Sequence, residues 1–163
     1  RPFVGGCIVA ILVWLLSTTQ YIGLGIPTIV TAFEVSLPPQ DFLLKMLFTI
    51  LTLSAGFKGG EVTPLFFIGA TLGSALSAIV PIPAGLLAGM GFVAVFAGAT
   101  NTPIACIIMA IELFGNECTA YVALACVVAY VCSGYTSIYT QQLVAKPTSS
   151  LLNHDSHKTI SEL

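Results

Sequence analysis

From Val62 to Ile111 the chain contains no aspartate, glutamate, lysine or arginine. A domain folded in water carries charged side chains at roughly a quarter of its positions, and this stretch has none to put on a wet surface. It is long enough for two membrane crossings at about 20 residues each. The rest of the chain follows suit, with 7% of residues charged, 56% hydrophobic and a mean hydropathy of +0.99. These features describe an all-α integral membrane protein with lipid as its surroundings, because a helix satisfies its own backbone polar groups there. The formal net charge of −2 is too small to imply nucleic acid or a charged surface partner.

Glycine and proline clusters cut the apolar sequence into short pieces. The pattern predicts helices over residues 3–19, 41–55, 64–80, 84–97, 103–114 and 119–132, then a short amphipathic segment at 138–144. Residues 1–147 read as one membrane domain and 148–163 as a polar tail, with Lys146 and Lys158 favouring a cytoplasmic C-terminus. Residues 28–41, with Pro38 and Pro39, read as a connection at the membrane surface; Asp41 then caps the next helix, with Lys45 one turn in. Gly69, Gly73 and Ser77 fall four residues apart, as do Gly85 and Gly89. Such small-residue stripes let helices approach closely in lipid. The chain opens on Arg1 and apolar residues that continue beyond residue 16, unlike a signal peptide, and reads as the C-terminal part of a longer transporter.

The break with most chemical content is Gly56-Phe57-Lys58-Gly59-Gly60-Glu61-Val62-Thr63-Pro64. Adjacent glycines bare the backbone, and proline suits a first helical turn, where its missing N–H costs nothing. A helix N-terminus with free amides attracts anions. At bilayer depth, interrupted helices of this kind bind ions. Thr100-Asn101-Thr102-Pro103 offers a second such helix start.

Other chemistries find little support. Cys7, Cys106, Cys118, Cys126 and Cys132 lack ligand or disulfide-framework spacing. His154 and His157 stand in a polar tail without further metal ligands, and Gly23 and Gly25 follow no strand, so neither a metal nor a dinucleotide cofactor is expected. No nucleophile–base pair or carboxylate pair marks an enzyme.

The run Gly59-Gly60-Glu61-Val62-Thr63-Pro64 resembles a signature of the CLC family of chloride channels and proton-coupled anion transporters. The resemblance continues through Gly69-Ala70-Thr71-Leu72-Gly73, Asn101-Thr102-Pro103-Ile104-Ala105, Glu112 and Tyr139, and covers the chain up to its tail. It implies the C-terminal half of a broken-helix inverted-repeat fold. The missing N-terminal half, with the family's gating glutamate, would complete the subunit. Each subunit of a homodimer would hold its own ion pathway, with residues 103–132 at the dimer interface. By the same resemblance, the Gly60, Glu61, Val62 and Thr63 region forms the anion site and the Tyr139 hydroxyl its inner boundary.

Most chloride-transporting members carry an apolar residue in place of Glu61 and a residue other than threonine at Thr63. Glu-Val-Thr-Pro resembles the fluoride-selective, proton-coupled branch, although Ile138 stands where that branch favours an aromatic. The implied function is fluoride/proton antiport across a bacterial inner membrane. A chloride channel or chloride/proton exchanger is the alternative within the family, and a non-transporting structural subunit the alternative outside it. Glu61 reads either as a buried neutral carboxyl that donates or carries a proton, or as a surface carboxylate paired with Lys58. Thr63 reads as an anion donor or an ordinary helix cap, and Tyr139 as a pathway residue or an interfacial belt tyrosine. Half an inverted repeat leaves packing faces open and is not expected to fold stably by itself.

Overall fold

The α4–α5 pair lies at the centre of the molecule. A computed structural model of the chain describes residues 2–57, 59–134 and 137–139. Among them the regular structure is entirely helical: α1 Pro2–Leu16, α2 Ile26–Glu34, α3 Gln40–Ser54, α4 Val62–Leu76, α5 Ala84–Thr100, α6 Pro103–Phe114 and α7 Thr119–Ser133, with a 3-10 turn at Asn116–Cys118. Lys58, the tail with His154 and His157, Lys146, and most of the segment expected at 138–144 lie outside the described residues.

Within the described residues, Asn116–Ser133 is the one helical stretch long and apolar enough to cross a membrane; α1, α4, α5 and α6 are apolar but shorter. Fifteen residues at about 1.5 Å each reach about 22 Å, short of a hydrocarbon core of about 30 Å. Short helices joined by irregular backbone are therefore what the glycine and proline clusters produce.

Glycine sets the α4–α5 distance. A Cβ at Gly69 would overlap the Gly91 carbonyl oxygen, one at Gly73 the Leu87 carbonyl oxygen, and one at Gly91 the Gly69 carbonyl oxygen. The expected stripe holds at Gly69 and Gly73. It fails at Ser77, which follows the end of α4 and turns its hydroxyl to the Ser74 carbonyl at 2.6 Å. Around this pair, Phe33, Phe66, Phe92, Phe96 and Phe114 form a connected aromatic cluster, with the Phe66 and Phe92 rings stacked at 4.2 Å. On one side, Val93, Ala97, Cys106, Ala110, Val122 and Cys126 bury the contact of α5 with α6 and α7. On the other, Tyr21, Phe48 and Phe67 join the 17–25 break, α3 and α4.

Three expectations change. Residues 26–34 form α2 and not a surface connection: Gly25 turns the chain in the left-handed region at φ 69°, and Pro27 sits in the first turn, where no N–H is needed. α4 stops at Leu76 before reaching residue 80, and Ser77, Ala78 and Ile79 close it with tightened i to i−3 bonds ahead of Pro81. Asp41 does not cap α3; the cap position is Pro39, and Asp41 lies buried in the first turn.

Candidate functional site

α4 begins at Val62, so Thr63 and Pro64 are its second and third residues. By helix geometry the N–H groups of the first turn have no carbonyl partner within the helix, and proline has none to offer. By that geometry the donors without a helical partner are those of Glu61, Val62 and Thr63, while the Leu65 N–H falls to the Glu61 carbonyl. Glu61 occupies the cap position at φ −83°, and its side chain makes no capping bond. The ordinary-cap reading of Thr63 is therefore set aside. Val62 and Thr63 are half-buried, and Gly59, Gly60 and Glu61 are exposed. A Cβ built at Gly59 or Gly60 meets nothing within 4 Å, so the backbone there is open to approach. The burial expected to neutralise Glu61 is not supplied by the described residues of this chain.

Gly59, Gly60 and Pro64 border a cavity of about 270 Å³, closed from other sides by Tyr21 and Gly23 of the first break and by Lys45 of α3. Lys45 is 2% exposed. Its ammonium donates to the carbonyls of Tyr21 at 3.1 Å and Gly23 at 2.6 Å, and stands 4.9 Å from the centre of the Phe67 ring on α4. One turn earlier, the buried Asp41 carboxylate accepts from the Tyr21 hydroxyl at 2.6 Å. The break between α1 and α2 is thus tied to α3 by two side chains, one at its backbone and one at its tyrosine. Tyr21→Phe leaves a buried carboxylate without this donor and is expected to cost about 2 kcal/mol in the full-length protein, read by thermal melting.

Sequence reasoning placed no function on Tyr21, Asp41 or Lys45. The available signal was an Asp–Lys pair four residues apart on an otherwise apolar helix, which puts two ionisable groups on one face at membrane depth.

Tyr139 is half-exposed and lies outside the cavity lining. Its neighbour Ile138 donates to the Ala99 carbonyl at 2.9 Å, which seats the segment against the end of α5. The second helix start closes on itself. Thr100 and Thr102 hydroxyls share a bond of 2.7 Å, and Ser133 donates to the Asn101 side-chain oxygen at 3.1 Å. Asn101 itself takes the left-handed conformation at φ 55°. That break joins α5 to α7, whereas the glycine break opens on a cavity. Glu112 is exposed near the end of α6, as a helix-end carboxylate should be.

Comparison with known proteins agrees with these features. The family model described as voltage gated chloride channel matches residues 1–134. A chloride/fluoride channel protein of Pseudomonas syringae pv. tomato is 55% identical over 150 residues, covering 88% of this chain and 33% of that protein. An uncharacterized protein of Methanocaldococcus jannaschii is 24% identical over 141 residues, or 85% of this chain and 36% of that protein. The crystal structure of a CLC-type fluoride/proton antiporter superposes with a TM-score of 0.81 at 40% identity, over 85% of this chain and 35% of that one. The chain therefore spans about a third of the relatives it matches. Short helices broken at glycine and proline, together with these likenesses, make the chain a member of the CLC family of membrane transport proteins.

Proposed function

We propose that this chain supplies one side of the anion pathway of a proton-coupled fluoride exporter in a bacterial inner membrane, with the remainder of the subunit supplying the other side. The observation that carries this reading is the start of α4: Gly59 and Gly60, with unobstructed backbone, border one cavity together with Pro64, and the first-turn donors and the Thr63 hydroxyl lie between them along the chain. Helix amides and the helix dipole favour an anion. Fluoride holds its water strongly, so a hydroxyl donor at Thr63 offsets part of the dehydration cost. Glu61, unbonded at the cap position, is the titratable group next to that anion. In its protonated form it donates instead of repelling, which links proton occupancy to anion occupancy. Tyr139 closes the inner end. The likeness to a fluoride/proton antiporter supports the choice of ion.

α6 and α7 leave Ile104, Ile108, Leu124, Val128 and Val131 exposed. An apolar surface of this kind on residues 103–132 suits a second copy of the subunit, with lipid around the pair.

The coupling is tested with the full-length protein in liposomes, with a pH dye recording proton movement while an imposed fluoride gradient runs down. Antiport predicts that protons move against the direction of fluoride and cease when fluoride is omitted; fluoride flux without proton movement contradicts it. Chloride transport is the second reading, favoured by the chloride channel description of the family and by the relative that carries both ions in its name.

A further inference from the structure

Resting on that anion-pathway reading, we propose that Lys45 is a positioning residue of the pathway: its ammonium holds fixed positive charge beside the cavity bordered by Gly59 and Gly60 and raises anion occupancy there.

The geometry begins with burial. A lysine that is 2% exposed on a membrane helix carries a large desolvation cost. Two backbone carbonyls are its hydrogen-bond acceptors, at 3.1 and 2.6 Å, and a neutral donor would satisfy them without that cost. What lysine adds is charge. Among the described residues no carboxylate is hydrogen-bonded to it; Asp41, one turn earlier on α3, keeps its negative charge while accepting from the Tyr21 hydroxyl at 2.6 Å, but it lies outside the described lining of the cavity that Lys45 borders. Lys45 is also the single charged residue among the described lining of the 270 Å³ cavity.

Its position reinforces the charge. The first turn of α4 carries the positive end of the helix dipole, and Pro64 of that turn borders the same cavity as Lys45. Phe67, one turn further along α4, lies against the ammonium at 4.9 Å and fixes it relative to that helix. Two positive sources therefore face one apolar-walled space, where low-dielectric walls concentrate their field on an entering anion. A mere strut for residues 21–23 would need the two carbonyl bonds but not the charge.

The test compares the concentration dependence of fluoride efflux for full-length parent and variants in liposomes. Lys45→Gln keeps a donor and removes the charge. It is expected to raise KM about tenfold, equal to about 1.4 kcal/mol of lost anion attraction, with kcat within about threefold and a melting temperature no lower than the parent's. An unchanged KM in a folded Lys45→Gln protein overturns the proposal and leaves Lys45 as a strut.

Thr49→Glu provides an independent arm if Lys45→Gln fails to fold. Thr49 lies one turn after Lys45 and lines the same cavity, and its hydroxyl bonds only within its own helix. Unlike Asp41, a carboxylate there would border the cavity itself and cancel the positive field inside it without touching the carbonyl bonds of Lys45, so KM should rise by a similar factor; no rise overturns the proposal. If the parent moves chloride and not fluoride, the fluoride reading falls, and the same KM comparison on chloride decides the role of Lys45. A parent that moves neither ion overturns both.

Discussion

Thr63→Val in the full-length protein is expected to lower fluoride transport about thirtyfold while changing chloride leak by no more than about threefold. Valine matches threonine in shape and branching, so the first turn of α4 keeps its backbone. Thr63 is half-buried at the second position of the helix, and no structural hydrogen bond of its own is lost with the hydroxyl. What disappears is one donor toward a small, strongly hydrated anion. Hydrogen bonds to charged groups contribute about 1.5–3 kcal/mol, and about 2 kcal/mol corresponds to the thirtyfold loss. Chloride surrenders its water more readily and depends less on one added donor. Parallel efflux measurements with fluoride- and chloride-selective electrodes read the two effects together. Equal fluoride rates in variant and parent would remove Thr63 from the site.

The second large effect concerns packing. Gly73→Ala adds one methyl group, and by helix propensity alone it should stabilise α4 by about 1 kcal/mol. The expected result has the opposite sign, a loss of about 3 kcal/mol. The new Cβ overlaps the Leu87 carbonyl oxygen and falls 2.6 Å from the Leu87 carbonyl carbon and 2.9 Å from the Ala88 Cα. All three are backbone atoms of α5, so relief requires the two helices to separate, and overpacking against a rigid neighbour sits at the costly end of its usual range. Separation also moves the start of α4, so fluoride transport should fall with stability. Gly6→Ala is the control: its Cβ meets only the Phe57 ring edge at an ordinary 3.6 Å. Thermal melting of the three proteins in detergent separates the outcomes, and a Gly73→Ala protein as stable as Gly6→Ala would refute the close α4–α5 contact.

Much of this architecture could be read in the residues. Pro103 and Gly115 bracket α6, which runs from Pro103 to Phe114 as expected, and α7 opens at Thr119 as expected. The local rules sufficed there, because proline opens a helix and glycine closes one wherever they stand. They misled at Gly25-Ile26-Pro27. The same punctuation that marks a break also starts a helix when proline falls in the first turn, and only the contacts of Ala32 with Ala70 and Ala88 decide for α2. The α4 start was legible from its glycines, although the helix begins two residues before Pro64, because first-turn positions need no intrahelical donor.

The cavity itself could not be read. It joins Tyr21, Lys45 and Gly60, residues far apart in sequence, and its existence depends on how α3 leans across the first break. Lys45 was visible as a charge on an apolar helix, but its carbonyl partners at Tyr21 and Gly23 belong to tertiary structure. Gly91, which receives Gly69, lies outside the four-residue series of Gly85 and Gly89 and is recognised only from the facing helix.

The central claim, that the start of α4 belongs to a fluoride pathway, is tested most directly by efflux from liposomes holding the full-length protein, with fluoride and chloride measured in parallel. Fluoride release well above chloride, accompanied by proton uptake, is the predicted result. Chloride release equal to or faster than fluoride would contradict it.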